Sequence, residues 1–75
     1  MANKSASSDS VYKVVELVGT STHSWEDAAK RAVELAAGSL RGLRVAEVVE
    51  MDLKIENGKV AAYRTRVHVS FKYES

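Results

Sequence analysis

Glu50 and Asp52 stand two residues apart in a run that alternates apolar and polar side chains. On a β-strand, residues two apart project from one face, so the two carboxylates can share a hard cation, with water or a neighbouring subunit completing the oxygen shell. Arg64, Arg66 and His68 repeat the two-residue spacing with the opposite sign. Facing Glu50 and Asp52 across an antiparallel pair, they form either a ladder of ion pairs or a surface for phosphate or a second subunit. Glu47 fits neither group. It interrupts the apolar series Leu43, Val45, Val49, Met51, Leu53 and Ile55, and a carboxylate among such neighbours has to find a donor at a helix end, on a neighbouring subunit or on a ligand.

Two further places carry functional groups. Gly19 to Ser24 joins hydroxyls and the His23 imidazole to the start of a helix, a setting for an anion but also what any helix needs for capping. His23 beside Ser24 is not a nucleophile motif, because no orienting partner or oxyanion site accompanies it; no enzymatic activity is expected. Trp25, in the first helical turn, reads as a core or interface anchor, with a stacking platform for a flat ligand as the alternative.

The elements that must position these groups follow from periodicity. Val11 to Val18 alternates as a strand closed by Gly19. Ser24 is the expected N-cap, with Asp27 completing an approximate capping box, and Trp25, Ala28, Ala29, Ala32, Val33, Ala36 and Leu40 recur on one helical face. On the other face Glu26 precedes Lys30 and Asp27 precedes Arg31, pairs worth roughly 0.2 to 0.5 kcal/mol each. Gly42 is a plausible stop, and Leu43 to Ile55 and Ala61 to Tyr73 then alternate as two strands.

Directly opposed residues of an antiparallel pair share a face, so apolar meets apolar only when paired numbers sum to an even value. A two-residue loop of Asn57 and Gly58 sets Met51 against Arg64, whereas a three-residue loop of Glu56, Asn57 and Gly58 sets Met51 against Tyr63. The sequence therefore predicts the three-residue loop, with Gly58 as a left-handed glycine bulge. In that register Glu50 lies opposite Arg64, and Glu47 opposite Val67. The fold class is α+β, strand-helix-strand-strand, with the last strand between the other two and antiparallel to both.

One face of such a sheet stays without a helix, and the chain is short. Its 75 residues begin with a polar, Ser-rich stretch, Met1 to Ser10, read as a disordered tail ahead of a domain over residues 11–75. About 65 residues with an Ala-lined helix bury little area. With no cysteine there is no disulfide, and no zinc set is evident, which leaves oligomerisation as the source of stability. No segment is long or apolar enough to span a membrane, no secretory signal is recognisable, and a formal charge of +1 gives no reason to expect nucleic acid; a cytoplasmic protein is expected.

The segments Val11-Tyr12-Lys13, Val18-Gly19-Thr20-Ser21, Val45-Ala46-Glu47-Val48 and Tyr63 through Phe71, in this order around a helix, resemble the dodecins. The resemblance covers about Val11 to Glu74. It implies an antiparallel sheet wrapped around the helix, assembly as a hollow homododecamer, and storage of a small ligand without turnover. Most dodecins stack flavin between tryptophans; here the tryptophan position is Val45, and Arg64 stands where the family has a glutamine that contacts flavin. Val45, Glu47 and Arg64 are the cofactor-binding positions so implied, with the stacking ring missing. Ser24-Trp25-Glu26, Arg44-Val45-Ala46 and Glu50 with Asp52 look more like the calcium dodecins, which makes Glu50 and Asp52 the candidate metal ligands. The expectation is a calcium-binding storage protein, with flavin sequestration second and a shell without dedicated ligand third.

Overall fold

In the computed structural model, which describes residues 11–72, four elements follow one another: β1 (Tyr12–Ser21), α1 (Trp25–Ala37), β2 (Leu43–Glu56) and β3 (Lys59–Lys72). The expected tail over residues 1–10 and the chain end over residues 73–75 lie outside the described residues. The sheet is antiparallel with strand order β1-β3-β2, so the last strand lies in the middle, as expected for a strand that returns parallel to the first after a helix.

α1 begins where the Ser24 side chain accepts the Asp27 backbone N–H at 2.9 Å, satisfying one of the orphan donors of the first turn. The Asp27 carboxylate does not complete the box. It accepts from Ser21 Oγ at 2.6 Å and from Arg31 Nε at 2.7 Å, tying the helix start back to the end of β1. Ser21 Oγ in turn accepts the backbone N–H of His23 at 2.9 Å, so the hydroxyl-rich segment works as a capping device. The helix stops at Gly38, short of Leu40 to which the apolar spacing carried it, because glycine is a poor helix former; Gly42, at φ +72°, is not the helix stop but turns the chain into β2.

Gly19 does not close β1, which runs on to Ser21. A Cβ on Gly19 would sit 2.0 Å from the Ala28 carbonyl oxygen. Glycine there lets the helix backbone descend onto the strand, and Ala28, Ala32 and Ala36, buried at intervals of four, continue the close approach. Ala32 packs with Val67 and Val69 of β3, flanked by Val15, Leu17, Val33 and Leu43. This small core sits between α1, β1 and β3.

The hairpin differs from the expected one at its tip. Glu56 pairs with Lys59, leaving a two-residue turn of Asn57 and Gly58 with φ of +53° and +73°. Two left-handed residues suit the twist of the flanking strands, a local preference stronger than the apolar matching that favoured a third loop residue. The mismatch is corrected just beyond, where Lys54 pairs with Ala62 and Ile55 with Val60, and Ala61 is bulged out. From there Leu53 faces Tyr63 and Met51 faces Thr65: the parity argument holds mid-strand, displaced by one pair.

A second irregularity, at Val49, reverses the parity again. Val48 lies opposite Val67, and Glu47 lies opposite His68 rather than Val67. Glu47 therefore leaves the apolar side of the sheet, which removes the conflict its position in the sequence posed. On the α1 side of β2, Val48, Met51 and Leu53 stay exposed because α1 packs mainly on β1 and β3 and touches β2 little, while Val45, opposite Ser70, is exposed on the face turned away from α1. The radius of gyration is 16.0 Å, against about 11 Å for a compact domain of this length.

Candidate functional site

The side chains that can do chemistry gather on the sheet face turned away from α1. On β3 Arg64, Arg66 and His68 alternate with the buried Thr65, Val67 and Val69, so burying one set against the helix turns the other outward. Register then supplies their partners: Asp52 opposite Arg64, Glu50 opposite Arg66, Glu47 opposite His68 on β2, and Glu16 opposite His68 on β1. The expected pairing of Glu50 with Arg64 is thus moved by one step.

Each rung is held differently. Arg64 makes a two-pronged contact with Asp52, Nε to Oδ1 at 2.7 Å and a terminal nitrogen to Oδ2 at 3.0 Å. This geometry occupies both carboxylate oxygens and holds the Asp52 carboxyl below its ordinary value, while raising the pKa of Arg64. Arg66 gives one guanidinium nitrogen to Glu16 Oε2 at 2.8 Å. Its Nε lies 3.4 Å from Glu50 Oε1 without hydrogen-bond geometry, and is buried without an acceptor. His68 Nε2 donates to Glu16 Oε1 at 3.1 Å. His68 foremost, with Arg66, lowers the Glu16 pKa. Glu16 is the member of this ladder that sequence reasoning missed; it is the one acid of β1, at an even position among apolar residues, and that placement was the available signal.

Trp25 anchors the other face. Its indole N–H donates to the Asp52 carbonyl at 3.0 Å, its own carbonyl accepts from Thr65 Oγ1 at 2.9 Å, and its ring meets Tyr63 edge-on at 5.2 Å. It borders a notch of about 450 Å³ with Glu26, Ala29, Val48, Met51 and Thr65. Asp52 thus ties the helix start by its backbone and Arg64 by its side chain.

The donors suit calcium in kind, since Glu50 and Asp52 present exposed carboxylates on one face. Their present partners are arginines, however, and among the described residues no three acidic or histidine side chains converge on one point. The flavin positions fit less well. Val45, Glu47 and Arg64 do share the open face, but Val45 brings an isopropyl group where a stacked flavin needs a ring, and Arg64 is taken by Asp52. No described helix is long and apolar enough to cross a membrane.

A single helix laid on two strands of an antiparallel sheet whose last strand is central, with an ion ladder on the uncovered face, defines a class of small α+β domains. The dodecin family model matches residues 11–74, and the chain belongs to the dodecin family. It is 46% identical over 63 residues to the calcium dodecin of Mycobacterium tuberculosis, covering 84% of this chain and 89% of that one. The solved structure of that relative, a calcium-chelating immunodominant antigen with a novel calcium-binding site, superposes with a TM-score of 0.77 at 47% identity, over 87% of this chain and 93% of the other. The dodecin of Streptomyces coelicolor superposes with a TM-score of 0.84 at 35% identity, over 91% and 97% of the two chains.

Proposed function

We propose that this protein is a non-enzymatic, cytoplasmic homododecamer that binds and buffers a divalent cation, calcium foremost, through Glu50 and Asp52. The observation that carries the cation reading is the placement of two exposed carboxylates on one face of β2, in a chain close in sequence to a calcium dodecin. Assembly is supported by the apolar surface of β2, which α1 leaves uncovered, and by a core too small to stand alone. In the assembly Glu50 and Asp52 supply part of an oxygen shell that water or a neighbouring copy completes. Flavin, held by Val45, Glu47 and Arg64, is the second reading, favoured only by the shared face of those residues.

Calcium-dependent melting tests the proposal. Saturating calcium stabilises the wild type, by about 2.7 kcal/mol at a hundredfold excess over the dissociation constant. Glu50→Gln combined with Asp52→Asn abolishes that gain. An equal gain in the double variant places the ion elsewhere.

A further inference from the structure

We propose that the tip of the hairpin between β2 and β3 seats, head to tail, in the groove between β1 and the second half of α1 on a neighbouring copy of this chain. The inference rests on the assembly reading above and names a contact that builds it.

The tip stands clear of its own subunit. β1 ends at Ser21, opposite Tyr63, and α1 starts at Trp25, whose ring also meets Tyr63. From there α1 runs the other way, past Gly19 and toward Val67 and Val69. Residues 54–62 are left as a two-stranded ribbon with no third strand beside it, an arrangement marginal in water by itself. Its α1-side face is apolar: Leu53, Ile55 and, directly opposite Ile55, Val60 are 41%, 56% and 50% exposed. Lys59, next to Val60, makes no ion pair among the described residues.

The groove lies at the far end of α1. It has a volume of about 360 Å³ and is lined by Val15, Leu17, Leu35, Ala36 and Leu40 among others. Leu35 leaves 81% of its surface in water there. The last turn of α1 carries no basic residue, so the negative end of its dipole is without a cation from its own helix. Arm and groove therefore match in kind, an apolar ridge with a spare lysine against an apolar cleft with uncompensated carbonyls. They sit at opposite ends of a helix of 13 residues, about 20 Å long, so one subunit's arm cannot fill its own groove and a second copy supplies it.

Area decides between a pair and a ring. Each patch exposes only a few hundred Å², short of the roughly 800 Å² per partner of a standard interface. An arm-to-arm dimer would leave the groove and Leu35 in water. Head to tail, every subunit gives one arm and receives another, both patches are covered, and the contact closes into a ring.

The chain has no cysteine, so introduced thiols report this contact alone. Full-length Ile55→Cys and Leu35→Cys proteins are mixed, oxidised mildly and digested, and disulfide-linked peptides are identified by mass spectrometry. The expected product joins residue 55 of one copy to residue 35 of the other; Ser39→Cys, in the same groove, stands in if Leu35→Cys does not assemble. Ile55→Asp is expected to raise the concentration of half-assembly about tenfold or more, as for a charge placed in an apolar contact. An assembled protein whose disulfides join only like positions, or whose assembly is unchanged by Ile55→Asp, overturns the arm-in-groove contact and leaves the assembly reading standing. A monomeric wild type at tens of micromolar overturns both.

Discussion

The packed half, α1 on β1 and β3, and the open half, β2 with the hairpin tip, are built from the same residue types and treated in opposite ways. In the first, small side chains are spent on proximity: Gly19 under Ala28, then Ala32 against Val67 and Val69, with Ala36 buried one turn further on. In the second, larger ones are left in water, with Val45 60% and Met51 57% exposed. The difference teaches that the described chain is a half-finished core. What α1 covers is settled within the subunit, and what β2 presents is an apolar strip of the kind that marks an interaction surface.

Substitutions on either side of that divide sharpen it. The largest effect is expected at Gly19→Val, which drives a side chain into the Ala28 carbonyl; a loss of about 3 kcal/mol or more by denaturant unfolding is expected. A loss below 0.5 kcal/mol means that the helix can lift off the strand. Met51→Asp changes an exposed group, and in an isolated subunit costs little. In an assembly that buries β2 it removes about 2 kcal/mol per subunit and adds a buried charge, so analytical ultracentrifugation should show dissociation. An intact assembly would make β2 a free surface. Ser24→Ala removes the helix cap and costs about 1 kcal/mol, read as a lower melting temperature without change of oligomer size.

Acid is the mildest probe, and its direction follows from the carboxylates. Glu16, held by His68 and Arg66, Asp27, held by Ser21 and Arg31, and Asp52, held by Arg64, all have pKa values below their ordinary ones. A folded-state pKa that is depressed adds stability above the unfolded value and loses it as pH falls through the folded one. Melting temperature should therefore hold from pH 7 to about pH 5 and decline below about pH 4. Because these groups are accessible, the contribution is small, and a melting temperature that rises on acidification contradicts the ladder.

Element order and the Ser24 cap were legible because they rest on local pattern, alternation and a capping residue, and the central place of β3 because a strand returning after a helix usually lies parallel to the first. The register of the ladder was not. Parity identifies a face but not a bulge, and the irregularities at Ala61 and Val49 together decide that Asp52 meets Arg64 and that Glu47 turns outward. Asn57-Gly58 was the signal for the two-residue turn, outweighed by an apolar matching that the Ala61 bulge restores in another way. Gly19 looked like a stop because its reason, a helix passing overhead, lies nine residues further along the chain in Ala28. Glu16 escaped notice because its partners, Arg66 and His68, come from the far end of the sequence.

Native mass spectrometry of the protein with and without calcium tests the central claim most directly, because it weighs the assembly and its cargo together. The account predicts a twelve-subunit mass that gains calcium-sized increments in the wild type and none in Glu50→Gln with Asp52→Asn. A folded monomer, or a dodecamer whose calcium increments survive the double substitution, would contradict it.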